Sequence, residues 1–329
     1  MRGIIMRVDG MATADGATGR ERWTLSRMPD QTGRCAVVTG ANSGLGFLTA
    51  RELARKGARV IMTARDEGRG RMALARIRAE LADAAVELRR LDLADLDDVG
   101  AFAEALLAES RPIDLLVNNA GVMMPPLGFT RQGHETQFGV NHLAHFALTL
   151  RLLPLLCAAP GARVVTVSSE LHRRGRIHFE DLKGERSYGR IAFYAQSKLA
   201  NVLFALELDR RLKAAHLPVV SVLAHPGYSD TNLQTNATSG VLRLFLRIGN
   251  RFLAQDAEQG VLNQLYAATA EGLRGGEFIG PDGFREMRGA PTLVHPLPAA
   301  TDPALAARLW RLSEDLTHLT FPSGAERVQ

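Results

Sequence analysis

Tyr194-Ala-Gln-Ser-Lys198 sets a phenol and an ammonium four residues apart. On a helix that spacing puts both on one face, one turn apart. A free tyrosine has a pKa of about 10, and a cation held nearby favours its phenolate, so such a pair can exchange a proton near neutral pH. The competing reading is a pairing by chance on a solvated helix face. Composition weighs against it: Lys56, Lys183, Lys198 and Lys213 are the lysines among 40 basic residues, so arginine is this chain's default cation. Lysine's compact ammonium can donate to a ribose hydroxyl, a task unsuited to a forked guanidinium. Spacing alone leaves acid/base catalysis and the surface pairing both open.

A second chemical signal lies upstream. Thr39-Gly-Ala-Asn-Ser-Gly-Leu-Gly46 follows the short run Arg34-Cys-Ala-Val-Val-Thr39 and opens a helical pattern. Gly40, Gly44 and Gly46 are placed to let backbone approach a pyrophosphate and aim it at a helix N-terminus. Such a turn can be merely a tight connection, but a strand before it and a helix after it make it a dinucleotide loop. Roughly twenty residues further on, an acidic side chain would hold the ribose 2′-hydroxyl of NAD. Here the second strand ends in Thr63-Ala64-Arg65-Asp66. A guanidinium at Arg65 can pair with a 2′-phosphate that an acid would repel, so NADP(H) is preferred, with NAD(H) as the alternative. The rival assignment has Asp66 capping the next helix and Arg65 facing solvent.

These groups need a scaffold, and the chain supplies alternating strands and helices. Strands fit residues 34–39, 58–63, 86–92, 114–118, 162–168, 219–224 and 277–280; helical patterns begin near Gly44, Asp66, Asp95, Glu135, Ile191 and Asp256. That order predicts an α/β, single-domain Rossmann fold, a doubly wound parallel sheet of six to seven strands with helices on both faces. The domain is expected over residues 23–320. Residues 1–22 lack apolar periodicity and a signal-peptide h-region, and are expected to be a disordered extension.

Composition removes other classes. With 46% hydrophobic and 23% charged residues in 329, a large core is available. The charge of +5 is spread as scattered arginines without interleaved aromatics, which argues against nucleic acid. The best apolar run, residues 143–159, is interrupted by His145, Arg151 and Pro154, so a buried helix is expected and no transmembrane segment. Cys35 and Cys157 make neither a disulfide framework nor a metal spacing, which fits a reducing cytoplasm. The Ala/Arg-rich, Lys-poor balance is compatible with a GC-rich bacterial genome.

With those residues in hand, the chain resembles the short-chain dehydrogenase/reductase family across roughly residues 31–283. The resemblance rests on the 40–46 loop, Leu91-Asp92-Leu93, Asn118-Asn-Ala-Gly121, Asn141, Ser168-Ser169, Tyr194 to Lys198 and Pro226-Gly227. Val140-Asn-His-Leu-Ala-His-Phe146 and Gln196-Ser-Lys-Leu-Ala-Asn201 make it similar to the retinol-dehydrogenase-like branch. The resemblance implies that Tyr194 is the proton donor or acceptor, that Lys198 lowers its pKa and bonds the nicotinamide ribose, and that Ser169 orients the carbonyl. It implies that Asn141 holds a relay water and Thr231 touches the carboxamide. Asn42, Ser43 and Leu45 would complete the phosphate loop, Asp92, Leu93, Asn118, Ala120 and Gly121 would line the adenosine and ribose side, and Pro226 and Gly227 would line the nicotinamide.

Each assignment has a plainer rival. Ser168 can replace Ser169, since neighbours at a strand end point to opposite faces. Asn141 can pin a helix, Asp92 can be a turn residue, and residues 118–121 can be a packed strand exit. His142, His145 and His225 are expected to be core or pocket-edge histidines, lacking a converging carboxylate set. The polar segment from Glu170 to Ala192 is expected to form a loop at the pocket mouth. Gly240 to Ala254 carries Arg243, Arg247 and Arg251 on an apolar background. It is expected to form a hydrophobic lid within residues 228–255, ahead of a membrane-surface helix or an ordinary amphipathic one.

The reading is a soluble cytoplasmic NADP(H)-dependent oxidoreductase that interconverts a carbonyl and an alcohol on a hydrophobic small molecule. No apolar N-terminal anchor like that of membrane-bound retinol dehydrogenases is seen. The alternatives are an NAD-dependent alcohol dehydrogenase of the same fold and a catalytically silent NADP(H)-binding regulator. A homodimer or larger homo-oligomer is compatible with either.

Overall fold

The computed structural model describes residues 22–227 and 257–322. The extension before Arg22, Thr231 and the 240–254 helix lie outside the described residues. Strands and helices alternate as β1 (Cys35–Val38), α1 (Gly44–Arg55), β2 (Arg59–Ala64), α2 (Glu67–Glu80), β3 (Val86–Arg90), α3 (Leu96–Glu109), β4 (Leu115–Asn118) and α4 (Thr136–Cys157). They continue as β5 (Ala162–Val167), α5 (Arg190–Ala214), β6 (Val219–Ala224), α6 (Ala257–Thr269), β7 (Phe278–Pro281), β8 (Pro291–Val294) and α7 (Pro303–Thr317).

Apolar runs form the strands because a parallel sheet covered on both faces buries every residue. In β1, Cys35 and Val37 pack beneath α3 and α4, while Ala36 and Val38 join the core under α1. The sheet order is β3-β2-β1-β4-β5-β6-β7-β8, parallel through β7, with an antiparallel β8 at the edge. It is a doubly wound α/β sheet of eight strands, one more than expected. Pro-Thr-Leu-Val at β8 is short, opens on proline and is only partly buried, so its composition gives little strand signal.

Winding reverses between β1 and β4, which pair directly. The crevice beyond the carboxyl ends of these two strands is where such sheets bind ligands. The central helix α4 is, among the described residues, the one long and apolar enough to cross a membrane; 83% of its most apolar window is buried in the core. Its first turns are wound as a π-helix over Gly139–Leu143.

Candidate active site

The crevice gathers the glycine loop, the exit of β4 and the first turns of α5. Thr39 Oγ1 accepts from the N–H groups of Asn119 and Ala120 at 2.9 Å each, locking the end of β1 to the exit of β4. Gly40 turns at φ 64°, a left-handed conformation that a side chain resists, and its Cα faces Ala120 with no room for a Cβ. α1 then begins with Ser43 making no side-chain cap, in contrast to α2 and α3, which Asp66 and Asp95 cap. The first N–H groups of α1 are thus left to an outside acceptor. Gly44, Leu45 and Gly46 form the first turn of α1, with Asn42 beside them. This cradle fits the pyrophosphate of a dinucleotide.

Arg65 follows β2, exposed. Asp66 turns away from any ribose role: its side chain accepts from Arg69 N at 3.0 Å and starts α2. Asp92 is likewise a turn residue, accepting from Ala94 N at 3.0 Å, while Leu93 is buried. Asn118 is buried and donates to Thr149 Oγ1 at 2.9 Å. Asp92 and Asn118 therefore brace the wall of the crevice.

Tyr194 and Lys198 lie buried on one face of α5, with Nζ 5.8 Å from the phenol ring centroid. Ser169 stands beside the Tyr194 hydroxyl, where it favours the ionised phenol. Ser168 instead donates to Lys198 O at 2.9 Å in the core, so the structure separates the two serines as the strand geometry requires. In the chain by itself, burial pushes Tyr194 up to about 12, with Ser169 working against it, and burial pulls Lys198 down to about 8. Nζ donates to Val167 O at 3.1 Å.

Asn141 is buried. Its amide donates to Val122 O and Ser197 Oγ and accepts from Val122 N, at 2.8 to 3.0 Å. Both amide protons are used in pinning the π-wound turn to the β4 exit and to α5. Gly121 lies so close that a Cβ there would stand 3.2 Å from Asn141 Oδ1 and 3.6 Å from Lys198 Nζ. Pro226 and Gly227 close the far side after β6; Thr231 is outside the described residues.

The histidines divide. His142 donates to Ser313 and His145 bridges Thr39 Oγ1 and Asn141 O, both in the core, where burial lowers them to about 3 and about 4. His225 corrects the expectation: Glu286 and Glu170 converge on it, with one ligand atom of each within 4.8 Å of the others. Sequence reading missed this because Glu286 lies 61 residues away. The 170–192 segment is not wholly loop. Glu170–Arg174 winds as a 3-10 turn, burying His172.

Residues 34–241 match the family model described as short chain dehydrogenase. The chain is 44% identical over 287 residues to polyprenol dehydrogenase of Mus musculus, covering 86% of this chain and 83% of that one. It is 43% identical over 284 residues to retinol dehydrogenase 12 of Homo sapiens, covering 86% of each. A crystal structure of an uncharacterised protein from Mycobacterium paratuberculosis superposes with a TM-score of 0.77 at 44% identity, over 92% of this chain and 100% of that one.

Proposed function

The chain belongs to the short chain dehydrogenase family, in its retinol-dehydrogenase-like branch, and is an oxidoreductase of alcohols and carbonyls; from that premise we propose that it is an NADP(H)-dependent enzyme acting on a bulky apolar alcohol or aldehyde. The observation that carries the reading is buried Tyr194 with Ser169 beside its hydroxyl and Lys198 5.8 Å from its ring, at the β1/β4 crevice.

When bound, the nicotinamide supplies or accepts the hydride. The 40–46 loop and the uncapped start of α1 would hold the pyrophosphate, and Arg65 would pair with the 2′-phosphate. Ser169 would hold the substrate oxygen toward Tyr194, whose hydroxyl gives that oxygen its proton in reduction and recovers one in oxidation. Lys198 would donate to the nicotinamide ribose, and Asn141 would keep residue 122 and α5 in register. Apolarity of the substrate is supported by Val-Met-Met-Pro-Pro-Leu at residues 122–127, directly after Gly121, and by the names of the two relatives above.

Turnover of NADPH and NADH against retinal, polyprenyl aldehydes and small ketones tests the proposal. Oxidation of NADPH with the long apolar aldehydes is expected. Preference for small polar ketones would overturn the substrate class, and NADPH binding without turnover of any carbonyl or alcohol would favour a silent regulator.

A further inference from the structure

Behind Ser169 and the Pro226-Gly227 turn lies a charged bridge with no part in the chemistry above. His225 closes β6 and is fully buried. Its Nδ1 lies 3.3 Å from Gly227 N. A backbone N–H can only donate, so Nδ1 is bare and the ring proton sits on Nε2. Nε2 donates to Glu286 Oε2 at 3.0 Å. Glu286 Oε1 accepts from Arg173 at 2.7 Å, and the same guanidinium holds Glu170 Oε1 at 2.8 Å. One carboxylate therefore spans the turn that leaves β6 and the 3-10 turn that starts at Ser169.

The backbone is bent to deliver that carboxylate. Arg285 and Glu286 are consecutive non-glycine residues with φ of 50° and 55°. Side chains resist this left-handed region, and it persists where surroundings demand it. Gly227, at φ 72°, packs so tightly on Met287 O that a Cβ could not fit, and the His225 ring covers Gly280 in the same way. Residues 284–287 thus lie directly against the turn. Arg173 supplies one cation to the two carboxylates, which beside the neutral His225 ring leaves the cluster one negative charge.

We propose that Glu286 is a positioning residue for hydride transfer: it fixes the His225 tautomer that sets the Pro226-Gly227 turn and, through Arg173, keeps that turn in register with Ser169. This rests on the family resemblance, which sets the Pro226-Gly227 turn against the cofactor, and on the proposed role of Ser169 toward the substrate oxygen.

The test compares Glu286→Ala and Glu286→Gln in the full chain, with exposed Arg285→Ala as control, using an aldehyde that the wild type reduces. Glu286→Ala is expected to raise the KM for NADPH and to lower kcat, each by about tenfold, because small misplacements at a reacting centre cost such factors. Glu286→Gln should recover part of both, since its amide oxygen accepts the same Nε2–H while its NH2 cannot accept from Arg173, and Arg285→Ala should match wild type. Nitrogen chemical shifts of His225 read the tautomer without turnover: protonated Nε2 in wild type, a mixture in Glu286→Ala. Glu286→Ala within about twofold of wild type, Glu286→Gln no better than Glu286→Ala, a wild-type Nδ1–H tautomer, or EDTA inactivation reversed by a divalent ion would each overturn the proposal. A wild type with the expected tautomer but no turnover would instead sink the parent reading and leave the bridge assigned.

Discussion

Burial acts on Tyr194 and Lys198 in opposite senses, because each is driven toward its neutral form: the phenol up to about 12, the ammonium down to about 8. The pair was legible in the sequence from its four-residue spacing, but its ionisation was not, since that depends on packing that brings Nζ to Val167 O. The same limit applied to Asn141, whose amide partners come from residue 122 and from α5. Arg65 was legible by position alone, at the end of β2. If it meets a 2′-phosphate, NADPH binds at least about tenfold tighter than NADH, the worth of one charge-assisted pair. Titrating both nucleotides against wild type and Arg65→Ala checks this. Equal affinities in the wild type, or a preference that survives the substitution, would remove Arg65 from the site.

At the scale of elements, β1, β2 and β4 to β6 were readable as apolar runs and β3, Val-Glu-Leu-Arg-Arg, by its alternation, and helix starts at Asp66 and Asp95 because short acids cap them. The π-wound turn at Gly139–Leu143 left no sequence mark, being held by tertiary bonds to Asn141. α7 did leave one that went unread: Asp302 caps it with Pro303 at its first position, followed by apolar residues at helical spacing. Its anchor is Trp310, edge-on to Phe146, stacked on Phe204 and covered by Arg211 at 4.4 Å. Trp310→Ala should cost about 3–5 kcal/mol, the range for emptying a large aromatic site, read as a lower urea midpoint with unchanged slope. A loss under about 1 kcal/mol would show that α7 does not brace α5.

For the molecule as a whole, three histidines held neutral in the core make the fold sensitive to acid. His142, His145 and His172 are lowered by burial to about 3, 4 and 4. A folded pKa below the unfolded value of about 6.5 means that, as pH falls past 6.5, the unfolded chain binds a proton that the native one refuses. Stability is lost through that window, on the order of 1 kcal/mol per pH unit for each histidine. Buried Glu135 and Asp209, raised by burial, act in the opposite sense, so one site is best isolated. His142→Gln, which keeps a donor for Ser313, should gain on wild type by about 1 kcal/mol per unit between pH 6.5 and 5 when urea midpoints are compared. A constant difference would mean that His142 does not carry the penalty.

In the proposed mechanism Tyr194 moves the proton, while the glycine loop, Arg65 and Lys198 hold the nucleotide. The most direct measurement is turnover and NADPH affinity of Tyr194→Phe, which deletes one hydroxyl from a buried ring and leaves the loop untouched. Turnover should fall by about two orders of magnitude or more, with the NADPH dissociation constant within about twofold of wild type. A Tyr194→Phe enzyme that turns over at close to the wild-type rate would contradict the claim and assign the proton to another group.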